Sequence, residues 1–116
     1  VDSLRVPVTL NVNDELGSKP SLIPTNYYLM SPYPNPFNPS TRLRYGVSDE
    51  VKTTIKIYDI KGQVVKNILS EKIPAGYYET KWDGRDDSGN NLSTGVYFIR
   101  FNAGGFRKTQ KVVLLN

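Results

Sequence analysis

The chain has no cysteine and no histidine in its 116 residues. Without cysteine there is no disulfide framework and no thiol chemistry, and with both residues absent the usual zinc ligands are gone. Catalytic pairs and triads that need histidine as base are excluded with them. Also missing is any apolar run near the roughly 18 residues a transmembrane helix needs, so no membrane span is expected. The opening, VDSLRVPVTL, has neither the basic start nor the apolar centre of a signal peptide. It also begins without methionine, which predicts a fragment of a longer polypeptide whose upstream part carries any export signal and any enzymatic activity. Acids are absent from Arg100 onward, where Arg100, Arg107, Lys108 and Lys111 stand alone. That run reads either as an anionic-polymer surface or, more simply, as lysine protection of an edge strand; no nucleic-acid partner is expected.

What the chain does have is alternation. Hydrophobic residues make up 38% of it, enough for a modest core in one domain. In VPVTLNV, Val6, Val8, Leu10 and Val12 share one face, the period-two mark of a strand. A polar stretch punctuated by Gly17, Pro20 and Pro24 follows and reads as a linker. The expected organisation is therefore 1–12 as the closing strand of a preceding domain or an extra strand, 13–27 as linker, and 28–116 as the main body. Within that body TRLRYGV turns Leu43, Tyr45 and Val47 inward and Arg42 and Arg44 outward. TTIKIYD turns Ile55 and Ile57 inward, and YYETKWD sets Tyr78, Thr80 and Trp82 against Tyr77, Glu79 and Lys81. QVVKNIL, VYFIRF and RKTQKVVLL supply further strands, with Gly62 and the pair Gly104-Gly105 at tight turns. No helical period appears. About seven strands with turn signals every 8–12 residues predict an all-β, immunoglobulin-like antiparallel sandwich with Trp82 as a core anchor.

Two local features invite a chemical reading. Asp83, Asp86 and Asp87 with Asn90 and Asn91 form the acidic cluster. An EF-hand loop needs glycine at its sixth position, whereas counting from Asp83 gives Ser88 and from Asp86 gives Asn91. The cluster reads as turn chemistry, with no metal and no cofactor expected. The second feature is YPNPFNPST, where Pro34, Pro36 and Pro39 rule out a helix interior or a central strand. It is expected to be a rigid lead-in, with Tyr33 and Phe37 tucked into the core end and Asn35 and Asn38 bonded to nearby backbone. Nothing else in the sequence makes an active site, so no enzymatic role is expected of this domain.

Four blocks taken in order, YPNPFNPSTRLRYGV, IKIYDIKGQVVKNIL, IPAGYYETKWDGRDDSGNNLSTGVYFIRF and KTQKVVLLN, resemble the type A C-terminal sorting domain of type IX secretion cargo. The pattern is also similar to the immunoglobulin-like domain of the flagellar hook-capping protein. The resemblance marks Pro74, Gly76 and Tyr78 as one signature, Leu92, Gly95 and Tyr97 as a second, and Lys108, Lys111, Val112, Val113 and Leu114 as the sorting signal. It implies a secreted or outer-surface protein that travels through the periplasm. Its partners would be the outer-membrane secretion machinery and a sortase-like peptidase cutting within 13–26. Gly76 and Gly95, each opening a strand, are candidates for positive φ or close backbone approach. The final strand is expected to end uncapped, open to strand addition by a partner or to an edge-strand dimer. The alternative is a structural adhesion or assembly module that stays on the surface protein and binds glycan or protein.

Overall fold

The computed structural model describes residues 4–5 and 23–116. Its strands are β1 (Leu4–Arg5), β2 (Tyr28–Leu29), β3 (Thr41–Val47), β4 (Val51–Tyr58), β5 (Val64–Ile73), β6 (Gly76–Trp82), β7 (Gly95–Ala103) and β8 (Phe106–Leu114). Among the described residues there is no helix. Two antiparallel sheets face each other, β6-β3-β2 and β5-β4-β7-β8, and β1 joins the first through Leu4 opposite Glu79 and Arg5 opposite Tyr78. The result is the expected immunoglobulin-like sandwich of seven strands, to which β1 adds a short eighth. The face-sharing proposed for Val6 to Val12 and most of the 13–27 linker lie outside the described residues. Pro24 is buried, and the Tyr27 ring stacks on Phe106 with centroids 6.0 Å apart.

Period-two patterning fixes which side of each strand meets the other sheet. Leu43, Tyr45 and Val47 of β3, Ile55 and Ile57 of β4, and Ile99 and Phe101 of β7 are each 0% exposed, and Trp82 is 1% exposed. The outward partners Arg42, Arg44 and Lys81 are exposed. A chain of rings fills the interior: Phe37 lies 5.3 Å from Trp82, Trp82 5.5 Å from Tyr97, and Tyr45 5.4 Å from Tyr78 and 5.6 Å from Phe101. The Trp82 indole N–H donates to the Arg85 carbonyl at 3.0 Å, so burying the ring strands no donor.

Turns follow local chemistry. Gly62 and Gly104 adopt φ of 84° and 58°, left-handed values that glycine reaches without steric cost. The second of these closes a two-residue hairpin between Ala103 and Phe106. β5 runs to Ile73, four residues past the end of QVVKNIL. Its register against β4 shifts twice, between Ile55 and Lys56 and between Ile57 and Tyr58, so its alternation is broken where the sequence would have to show it. Gly46 is buried within β3 for a tertiary reason. A side chain there would collide with the Tyr28 ring and stand 2.9 Å from Pro24.

Candidate functional site

β8 carries the residues marked as the sorting signal, and strand geometry divides them. Val112 is 0% exposed and Leu114 4%, both in the core, while Val113 is half-buried. Lys111 points to solvent in phase with Arg107 and Thr109, and Lys108, opposite Phe101 on the alternate face, is exposed as well. Val112 and Leu114 are therefore packing residues, and the basic candidates, with Arg107, are exposed on the folded strand beside the half-buried Val113.

The proline segment lies against this strand. Phe37 N–H donates to the Val113 carbonyl at 2.9 Å, and Leu115 N–H donates to the Phe37 carbonyl at 3.0 Å. Asn35 completes the contact from its side chain: its Oδ1 accepts from Val113 N–H at 2.9 Å, and its Nδ2 donates to the Lys111 carbonyl at 3.1 Å. A short parallel bridge between Phe37 and Leu114 results. The strand expected to end uncapped thus has its last half covered, and an edge-strand partner would meet bonded groups from Lys111 to Leu115. Pro34 contributes its carbonyl, which accepts from the buried Thr41 hydroxyl at 2.7 Å. Pro36 and Pro39 are exposed, as is Tyr33, while Phe37 is 1% exposed against Trp82. Tyr33 therefore does not enter the core as expected. Asn35 bonds backbone 76 and 78 residues away instead of nearby, and Asn38 is exposed with no hydrogen bond among the described residues. Prolines cannot donate to a ladder, so the segment can cover one edge without offering a new one.

The two internal signatures turn out to be one device used twice. Tyr78 O–H donates to the Pro74 carbonyl at 2.6 Å, and Tyr97 O–H donates to the Ser93 carbonyl at 2.7 Å, each four residues upstream. Each tyrosine follows by two the glycine that opens its strand, Gly76 for β6 and Gly95 for β7. The ring is buried while its hydroxyl ties down the turn before the strand, the arrangement of a tyrosine corner. Neither glycine has positive φ, and a side chain at Gly95 would meet nothing within 4 Å, so neither expected need applies at Gly95, and at the buried Gly76 the positive φ is absent. That need falls at Gly84, where φ is +73° and the Leu114 side chain lies 3.1 Å from where a Cβ would stand. Leu92, half-buried, packs against the core.

The acidic cluster spends its oxygens on backbone. Asp86 Oδ1 accepts from Ser88 and Asn90 N–H, both at 2.9 Å, and Asp83 Oδ1 accepts from Arg85 N–H at 3.2 Å. Asn91 bridges to Arg85 within the same loop. Asp87 reaches β5, accepting from Asn67 N–H at 3.0 Å and from Asn67 Nδ2 at 2.9 Å. The Asn67 backbone N–H foremost, then its side-chain amide and Lys66, hold the Asp87 carboxyl below its ordinary range, outweighing a smaller opposing effect of burial. The bonds of Asp83 and Asp86 are the turn chemistry read from the sequence, and the Asp87 clamp onto β5 is added to it by the fold. No group of three or more acidic side chains is placed to hold a metal among the described residues.

Sandwich topology and the paired tyrosine corners define an immunoglobulin-like module. The FlgD Ig-like domain family matches residues 40–105, more than half of the chain, and the chain belongs to that family. Among solved structures it is similar to dimeric latent PorU from Porphyromonas gingivalis, with a TM-score of 0.57 and 24% identity over 78% of this chain and 9% of that one. It is similar too to PorZ of the same organism, described as an essential bacterial surface component of the type-IX secretion system, with a TM-score of 0.53 and 21% identity over 78% of this chain and 11% of that one. The chain thus spans about a tenth of either protein. No curated protein matches it.

Proposed function

We propose that residues 28–116 form a non-catalytic C-terminal sorting domain that directs a larger polypeptide through type IX secretion to the cell surface or the medium. The observation that carries this reading is the construction of β8. Its apolar side is sealed into the core, its final edge is pinned by the proline segment, and Arg107, Lys108 and Lys111 remain displayed without an acid in the strand. A rigid strand that holds these bases exposed, Arg107 and Lys111 on its outer face and Lys108 on the alternate one, can be read by an acidic receptor surface without unfolding. The fold shared with PorZ, a type-IX component, supports the same system. The outer-membrane machinery would read these bases, and a sortase-like peptidase would cut within 13–26.

The test fuses an exported reporter ahead of residues 13–116 in a bacterium with type IX secretion. A second version carries Arg107→Glu, Lys108→Glu and Lys111→Glu. All three side chains are exposed, so the urea midpoint should be kept while secretion is lost. Mass spectrometry of the secreted parent should place the reporter's new end within 13–26. Secretion indifferent to the triple reversal would overturn these bases as the signal. A domain still attached outside the cell would favour a retained structural module.

A further inference from the structure

The outer face of the β6-β3-β2 sheet holds a groove of about 500 Å³, lined among others by Met30, Tyr33, Ser40, Arg42, Arg44 and Lys81. Its size lies within the roughly 300–1,000 Å³ typical of small-ligand sites. Three cations meet there, and the acid that answers them is Glu79. Its carboxylate lies 3.3 Å from Arg44 Nε and 3.6 Å from Arg42 Nε. The one carboxylate is shared by both arginines, so among the described residues three cations of the groove face a single acid. Lys81 sits opposite Arg42 on the neighbouring strand and makes no ion pair among the described residues. Beside the cations stand two exposed large apolar side chains, Tyr33 at 77% and Met30 at 50% exposed.

The backbone of this groove is already committed. Met30 N–H donates to the Arg44 carbonyl at 2.9 Å, Tyr33 N–H to the Arg42 carbonyl at 3.2 Å, and Arg42 N–H to the Tyr33 carbonyl at 2.9 Å. An extended peptide would find no free ladder here. The recognition groups are side chains: two guanidinium forks, an ammonium, serine hydroxyls and a flat exposed ring. A fork matches a carboxylate in two-point contact, hydroxyls match hydroxyls, and an aromatic face covers the apolar face of a pyranose. We propose that this groove binds a carboxylate-bearing saccharide, its acid group drawn by Arg42, Arg44 and Lys81, whose charge the single carboxylate of Glu79 does not balance, and a sugar face on Tyr33. This surface lies on the sheet opposite the one containing β8, so the proposal stands apart from the sorting reading.

The experiment is an amide NMR titration of the intact chain in 150 mM salt with trigalacturonic acid, maltotriose and hexaglutamate. Trigalacturonic acid should shift the amides around Met30–Tyr33 and Arg42–Arg44 saturably, more tightly than either of the others. Arg42→Gln with Arg44→Gln should weaken it by about tenfold or more, the loss expected for charge-assisted bonds. Tyr33→Ala should weaken trigalacturonic acid and leave hexaglutamate unchanged. No localised shift with trigalacturonic acid would overturn the proposal. Equal affinity for hexaglutamate, or indifference to Tyr33→Ala, would also overturn it and leave a charged patch alone. Both variants change exposed side chains, and an unchanged spectrum elsewhere verifies the fold.

Discussion

Tyr78 and Tyr97 each place a buried ring under one sheet and a hydroxyl on a carbonyl four residues back. Removing only that hydroxyl leaves the ring packed and takes the donor from the turn. Tyr78→Phe and Tyr97→Phe should each lower stability by about 1 kcal/mol, the net worth of one such bond, read from urea midpoints at unchanged slope. A wild-type midpoint in both variants would reduce the shared signature to ring packing. Asp87 acts through charge. Its folded-state pKa is depressed below the ordinary 3.8 because Asn67 and Lys66 favour the carboxylate. The stabilisation it supplies is therefore complete above the unfolded value and fades as pH falls through the folded one. Asp87→Asn should separate from the parent at neutral pH, with the gap closing below about pH 4 as both carry an uncharged side chain. A gap that stays constant to low pH would show a packing effect instead.

At the scale of elements, β8 is held from two directions. On one side β7 pairs with it along its length, from Gly95 opposite Leu114 to Ala103 opposite Phe106. On the other, Asn35 and Phe37 take the outward groups of Lys111, Val113 and Leu115. Asn35→Ala removes two of those bonds and leaves Phe37 in place. It should speed hydrogen exchange at Val113 more than at Val112, whose amide faces β7, and should cost about 1–3 kcal/mol. Equal change at both positions would mean the whole strand loosens, and the proline segment would then be a support for the strand instead of a cover for its edge. β5 shows the same management at the opposite edge, where Asp87 N–H donates to the Val65 carbonyl at 3.1 Å.

For the whole molecule, the terminal strand is structure as well as display. Deleting residues 107–116 would remove Val112 and Leu114 from the core, the ladder to β7 and the partner of the proline segment. Such a chain should lose its cooperative urea transition and its dispersed amide spectrum. A loss of secretion on that deletion would consequently report folding, and surface reversals at Arg107, Lys108 and Lys111 isolate recognition. If the shortened chain keeps a sharp transition, the two sheets close without β8, and the deletion becomes a clean test of the signal after all.

Alternation alone settled the inward faces of β3, β4 and β6, the burial of Trp82 and the turns at Gly62 and Gly104, because strand geometry and glycine's access to positive φ are local properties. The turn chemistry of Asp83 and Asp86 was legible for the same reason: each partner lies within four residues. Where the partner is remote, the sequence is silent. Gly46 is small because Tyr28 crosses it, Gly84 because Leu114 lies over it, and Asn35 bonds a strand 76 residues away. β5 hid its extent behind two register shifts, and Arg42, Arg44 and Lys81 form one groove only because β3 and β6 lie side by side. Local pattern was enough for the inward faces of β3, β4 and β6, since backbone sterics and hydrophobic period act between near neighbours. Which strand edges are covered and which charges stand together came from the folded arrangement, since those depend on contacts between distant segments that no local pattern encodes.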